Sequence, residues 1–288
     1  MENIISQCFG IDISKFDFSV CLIRHSNSGE NYTSKIVSFQ NTKLGFNQFL
    51  RWSRKHGEPI SKTLFMMEAT GVYYESLAHH LHRLKRKVCV ILSNKVKYYA
   101  KSLNVKTKTD AVDARIIAQL GIEREHRLWS PPTETLKALR DLTRLYTGLK
   151  RERTVFLNRK ESFEAAESVN SFILKSNKKI ISELDKHIDK CEQEINKAIA
   201  REAWLAKKVE KLLTIKGVGL ITIAIIIAET QGFALINNRK QLASYAGYDV
   251  VQKESGNSVK GKTRISKKGN SRLRACLHFK TVPFLLPF

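Results

Sequence analysis

Four acidic residues, Asp12, Glu68, Asp110 and Asp113, are of a type that could do metal-assisted chemistry if the fold brought them together. Asp12 interrupts an apolar run, Phe9-Gly10-Ile11-Asp12-Ile13. A charge there costs stability unless it is paired or binds a cation. Glu68 closes a second apolar run, Leu64 to Met67, just before Ala69-Thr70-Gly71. Asp110 and Asp113 are three residues apart at the start of a predicted helix and so share one face of it. Each acid has an ordinary alternative role. Asp110 can cap its helix, Asp113 can sit in the first turn, and Glu68 can cap the helix that follows. Four carboxylates brought together cannot all remain ionised without a cation. Hard oxygen donors of this kind suit Mg²⁺, and metal ions so held stabilise the attacking and leaving oxygens of a phosphodiester.

A second group lies near the C-terminus. Between Val250 and Arg274 the positive residues are Lys253, Lys260, Lys262, Arg264, Lys267, Lys268, Arg272 and Arg274, and the sole acid is Glu254. Lys260, Lys262, Arg264, Lys267, Lys268, Arg272 and Arg274 are expected to contact phosphates, against the alternative of a solvated basic loop. The same segment offers four candidate nucleophiles: Ser255, Ser258, Ser266 and Ser271. Ser255 precedes Gly256, which leaves room for an incoming phosphodiester, and it lies just upstream of the densest charge. Ser266 reads equally as a turn residue and Ser271 as a helix cap. A serine hydroxyl needs a base or a metal to activate it.

The elements that must position these residues follow from patterning. Cys8 to Ile13, Phe16 to Ile23 and Lys35 to Phe39 read as an antiparallel meander. Leu44 to Lys55 reads as a helix, Leu64 to Met67 as a strand, Tyr73 to Arg86 as a helix, Val88 to Leu92 as a strand and Asp110 to Leu120 as a helix. This order predicts a mixed sheet covered by helices. Pro131-Pro132 marks a boundary. Beyond it the chain is charged and helical to about Lys211, where Ile181, Leu184, Ile188, Cys191, Ile195 and Ala198 form a heptad seam. That seam serves either a coiled coil between protomers or a hairpin within one chain. Leu212 to Thr222, with Gly217 and Gly219, reads as helix, tight turn and helix, a helix-hairpin-helix-like element whose glycines would let backbone amides approach a phosphate. The expected domains are therefore 1–130, 131–211 and 212–288.

Composition narrows the partners. The 288 residues include 50 Lys and Arg against 27 Asp and Glu, a net charge of +23, and 42% are hydrophobic. A folded chain this basic calls for a polyanion, and nucleic acid is the expected partner. Cys8, Cys21, Cys89, Cys191 and Cys276 are odd in number and contain no C-x-x-C pair, which argues against disulfides and structural zinc. The N-terminus has no secretion signal and Leu220 to Ala228 is too short for a membrane span, so a cytoplasmic location is expected.

Taken together, these residues resemble two known groups. The order of strand Asp, strand-end Glu and helical acid pair is similar to ribonuclease-H-like nucleases of the Holliday-junction resolvase (RuvC-like) branch. Glu68-Ala69-Thr70-Gly71, Lys108-Thr109-Asp110-Ala111-Val112-Asp113-Ala114, Ala246-Gly247, Ser255-Gly256 and Ser266-Lys267-Lys268-Gly269-Asn270 with Leu273-Arg274 resemble the DEDD-type transposases of bacterial insertion sequences. Those are relatives of a pilin-gene invertase and include RNA-guided bridge recombinases. The resemblance spans about Gly10 to Arg274. It implies an α/β ribonuclease-H-like domain, a long helical region and a small, mainly helical C-terminal domain. It also implies a Mg²⁺ site at Asp12, Glu68, Asp110 and Asp113, Ser255 as nucleophile, DNA as substrate, a structured guide RNA, and dimers or tetramers. The rival activities are a metal-only junction nuclease and a non-catalytic nucleic-acid-binding remnant. Two departures stand out. Lys216 occupies the place of a usual Pro, and the run Thr281 to Phe288 is apolar and proline-broken where the family continues in basic helical turns. The second predicts a truncated or altered terminus after about residue 274.

Overall fold

The computed structural model describes residues 3–277 except 58, 70, 108, 235, 253 and 256–258. The chain divides into two compact units, Met1–Pro131 and Pro132–Phe288.

The first unit is built on a six-stranded mixed sheet. Its strands are β1 (Ile4–Ile13), β2 (Asp17–Ser26), β3 (Asn31–Thr33), β4 (Val37–Gln40), β5 (Thr63–Glu68) and β6 (Lys87–Ile91). The order is β3-β2-β1-β5-β6, with β4 also on β2. β1 and β2 pair antiparallel through a tight turn in which Ser14 Oγ donates to Asp17 Oδ1 at 2.6 Å. β5 and β6 then add in parallel, with Ile11 beside Met67 and Glu68 beside Ile91. The expected third strand, Lys35 to Phe39, is β4, and β3 is a further short strand before it that also pairs with β2.

Alternation along the strands separates two cores. Phe9, Ile11, Ile13, Phe65 and Met67 face helices α1 (Lys43–His56) and α2 (Glu75–Arg83). Aromatic rings dominate there: Phe9 stacks on Phe65 at 5.1 Å and meets Phe49 edge-on at 5.8 Å. The opposite face carries Cys8, Met66, Cys89 and Ile91 and is covered by α3 (Ser93–Ser102) and α4 (Asp110–Glu123). All five cysteines are free.

The second unit is mainly helical. Helices α5 (Glu134–Glu164) and α6 (Ser171–Ala200) form a long hairpin, followed by α7 (Ala203–Leu213), α8 (Leu220–Glu229), α9 (Arg239–Ala246) and α10 (Ser271–Leu277). Cys191, Ile195 and Ala198, the latter half of the heptad seam, are buried with Leu136, Leu139, Leu205, Val209, Ile223 and Ile227, and Ile188 before them is also buried. This stretch of the seam is used inside the chain, so the intrachain hairpin accounts for it. The same core joins α5 and α6 to α7 and α8, which places the stretches 131–211 and 212–288 within one unit. α7 and α8 are connected by a short turn containing Gly217 at φ +82°. Among the described residues no helix is long and apolar enough to cross a membrane.

Candidate active site

The first unit gathers the four acids around one cavity. Cys8, Gly10 and Asp12 alternate on the β1 face that meets α4. α4 lies almost on the strand backbone: a Cβ at Gly10 would stand 2.2 Å from the Ala118 nitrogen and 2.3 Å from the Ala114 oxygen. Farther along, a Cβ at Gly121 would stand 2.3 Å from Cys8 Sγ. The helix thus runs antiparallel to the strand, with Gly121 at Cys8 and Ala114 and Ala118 at Gly10. Its first turn comes to Asp12. Asp110, Asp113, Ala114, Ile117 and Ala118 have the three-and-four spacing of one helix face. Glu68 follows Met67 on the neighbouring parallel strand, on the same side as Asp12. All four carboxylates line a cavity of about 700 Å³ at the carboxyl ends of β1 and β5. Open α/β sheets commonly place their ligands at such strand ends.

One of the ordinary roles is kept, since Asp113 sits in the first turn of α4 with Asp110. Thr109 is the N-cap of α4 and its side chain accepts from the Val112 amide at 3.3 Å, so Asp110 is not the cap. The N-cap position of α2 is Tyr74, whose side chain makes no capping hydrogen bond. Burial pushes the Asp12 carboxyl up to about 6, and Asp113, Asp110 and Glu68 add repulsion in that order. This cluster of like charges is what a hard divalent cation would relieve. The oxygen-only donor set fits such an ion. Among the described residues, however, no three His, Cys, Asp or Glu side chains are already drawn into a set that could hold a metal ion.

The C-terminal basic segment has a different construction. Val250–Val251 pairs antiparallel with Arg264–Ile265, and Glu254–Ser255 with Val259–Lys260. The chain therefore runs out and back as a β-ribbon. Ser255 is in its outer rung, opposite Val259. Its side chain and that of Lys260 lie outside the described residues, as do Lys253 and Ser258 and the stretch 278–288. Lys262, Arg264, Lys267, Lys268 and Arg272 are exposed. Arg274 differs: its Nη1 donates to the carbonyls of Ala246 at 2.9 Å and Lys267 at 3.1 Å, so its guanidinium is partly built into the fold.

The base of the ribbon is a tight knot. Gly247 ends α9 in the left-handed region at φ +78°, which favours glycine. A Cβ at Gly269 would stand 2.5 Å from the Gly247 nitrogen and the Tyr245 oxygen. Ser266 Oγ donates to the Gly247 carbonyl and accepts from the Lys268 amide, the turn role expected of it. The cap expected of Ser271 belongs instead to Asn270, whose Oδ1 accepts from the Arg272 and Leu273 amides.

Sequence reading missed the group that anchors this knot. Glu229, at the end of α8, is 5% exposed. Arg144 on α5 donates to both its oxygens, at 2.8 and 3.1 Å, and Asn270 Nδ2 donates to Oε2 at 2.7 Å. Burial pushes the Glu229 carboxyl up, but the Arg144 and Asn270 hydrogen bonds and nearby arginine charge outweigh it and hold it below the usual range. The signal was present in the sequence: an acid ending the apolar run Leu220 to Ala228 needs a partner.

Two family models match successive parts of the chain. Residues 9–163 match a family model of DEDD-type IS110 transposases, described as "Transposase", and residues 209–283 match "Transposase IS116/IS110/IS902 family". The chain is 30% identical over 277 residues to the pilin gene-inverting protein of Moraxella bovis, covering 95% of this chain and 81% of that protein. The pilin gene-inverting protein of Moraxella lacunata is similar to the same extent. This chain belongs to the IS110-type family of transposases.

Proposed function

We propose that this protein is a DNA transposase or site-specific recombinase that cuts and rejoins strands using Asp12, Glu68, Asp110 and Asp113 as a Mg²⁺ site and Ser255 as nucleophile. The observation that carries the reading is the gathering of the four carboxylates around one cavity. The two relatives are named for inverting a gene, an outcome that requires both cutting and rejoining.

In this reading Asp12, Glu68, Asp110 and Asp113 would hold the metal, which would supply charge stabilisation to the phosphodiester. Ser255 Oγ attacks the phosphorus and gives up its proton. The bond to one strand oxygen breaks, that oxygen is protonated, and a serine phosphodiester remains. Attack on that phosphodiester by the hydroxyl of another strand releases Ser255 and completes rejoining. Lys262, Arg264, Lys267, Lys268 and Arg272, with Lys260, hold the backbone by its phosphates. Arg274 contributes mainly to the shape of the loop. A structured RNA that selects the DNA belongs to the same reading, since basic segments bind RNA and DNA alike. So does assembly as dimers or tetramers.

The test is to trap the covalent protein–DNA adduct in the presence of Mg²⁺. Wild-type protein is expected to form it, and Ser255→Ala and Asp12→Asn to form none. An adduct on Ser255→Ala that disappears with Ser258→Ala, Ser266→Ala or Ser271→Ala overturns the choice of serine. Cleavage without any adduct favours a metal-only nuclease, and binding without cleavage a non-catalytic remnant.

A further inference from the structure

Helix α3 was not foreseen from the sequence, yet it forms a wall of the acidic cavity. Ser93, Val96, Lys97, Ala100 and Lys101 line that cavity together with the four acids. Their spacing of three and four puts them on one stripe of the helix. The wall is held in place. Val96 and Tyr99 are buried, Tyr99 OH donates to Glu123 Oε2 on α4 at 2.5 Å, and Arg124 lies over the Tyr99 ring at 5.6 Å.

Lys97 and Lys101 are exposed at this wall. Lysines present only to neutralise the acids would pair with them. Among the described residues neither lysine makes an ion pair or a hydrogen bond. Lys15 and Lys106 also line the cavity, so carboxylates and ammonium groups share it. That mixture suits a phosphodiester: a cation on the acids would serve the reacting phosphate while lysines hold its neighbours. Positions i and i+4 lie about 6 Å apart along a helix axis, the scale that separates adjacent phosphates on one strand.

We infer that α3 is the phosphate wall of this cavity, with Lys97 and Lys101 holding successive backbone phosphates of a single DNA strand presented to the acids. This rests on the reading of the acids as the metal site and adds the strand's path into it.

The experiment measures binding of a short single-stranded DNA to the full chain across a salt series. Wild type is compared with Lys97→Gln/Lys101→Gln and with Lys43→Gln/Lys55→Gln, an exposed pair on α1 that covers the other face of the sheet. Each phosphate contact contributes about 0.7 to the slope of log affinity against log salt for single strands, so the α3 pair should flatten the slope by about 1.4. The α1 pair should leave it unchanged. Calorimetric Mg²⁺ uptake should survive in the α3 variant and disappear in Asp12→Asn, which should keep the lysine contribution to DNA binding. A wild-type slope in the α3 variant overturns the inference, as does a change confined to RNA of the same sequence. Absence of Mg²⁺ uptake by the wild type would instead overturn the metal reading, whatever the slopes show.

Discussion

The two halves of the candidate machinery solve opposite electrostatic problems. In the first unit four like charges line one cavity, and burial and their mutual repulsion raise Asp12 to about 6. In the second, the buried carboxylate of Glu229 is matched by Arg144 and Asn270 and held low. The first arrangement stores unfavourable energy that a cation can release. The second spends a charge on fixing a loop. Clustered like charge marks a candidate site, and a matched buried charge marks a structural anchor.

The largest expected effect tests the first half alone. Asp12→Asn should abolish Mg²⁺-dependent strand cleavage while DNA binding, read by gel shift, remains. Cleavage at the wild-type rate would break the contrast. Next comes the close approach that sets the site. Gly10→Val drives a side chain into the α4 backbone and should cost at least about 1–3 kcal/mol in thermal unfolding. Activity should fall more than stability explains, because Asp12 and the acid pair of α4 are pushed apart.

Third, Arg144→Ala leaves Glu229 buried without its main partner. Loss of one partner of a buried pair costs about 3–5 kcal/mol, and the low end applies because Arg144 is 35% exposed. Glu229 also has a signature in acid. Its carboxyl is depressed in the fold, so its stabilisation is complete above the unfolded carboxylate range and is lost as pH falls through its folded value. Arg144→Ala should therefore flatten the acid limb of the stability profile.

Asp12 has the opposite sign. Its folded value of about 6 lies above the unfolded one, so metal-free protein binds more protons folded than unfolded between about pH 4 and 6 and loses stability as pH rises through that window. Asp12→Asn should remove this decline and raise the melting temperature at pH 8 without metal. An unchanged profile would show that the acids do not repel as the cavity implies. The smallest effect is that of Lys267→Ala, which should reduce the salt slope of DNA binding by about one phosphate's worth; no change would remove Lys267 from the backbone contacts.

Sheet and helix patterning carried much of the first unit. β1, β2, β5, β6, α1 and α4 are where apolar alternation and helical spacing put them, because those segments bury a face. α3 escaped because only Val96 and Tyr99 of its ten residues are buried and its lysines read as surface. The ribbon around Ser255 escaped because its strands are two residues long, too short for alternation to register. Asp12 and Glu68 were visible as charges against apolar runs, and Asp110 and Asp113 as a pair on one helix face. What one sequence could not give was the packing of Gly10 against Ala114 and Ala118, a contact across more than a hundred residues that brings α4 to β1.

Asn270 carries a consequence for the chemical lifetime of the protein. An asparagine followed by a small residue such as Ser271 is open to attack by the next backbone nitrogen and slow conversion to aspartate. That attack requires the side-chain amide to turn freely. Here Nδ2 is held by Glu229 and Oδ1 by the Arg272 and Leu273 amides, so the folded state shields the bond. Conversion would replace a donor with a second carboxylate at the place where Nδ2 now stands 2.7 Å from Glu229 Oε2. Two carboxylates so close cannot both stay ionised. The ageing of Asn270 is thus coupled to unfolding of its own loop: slow while the knot is closed, and self-reinforcing once it has opened.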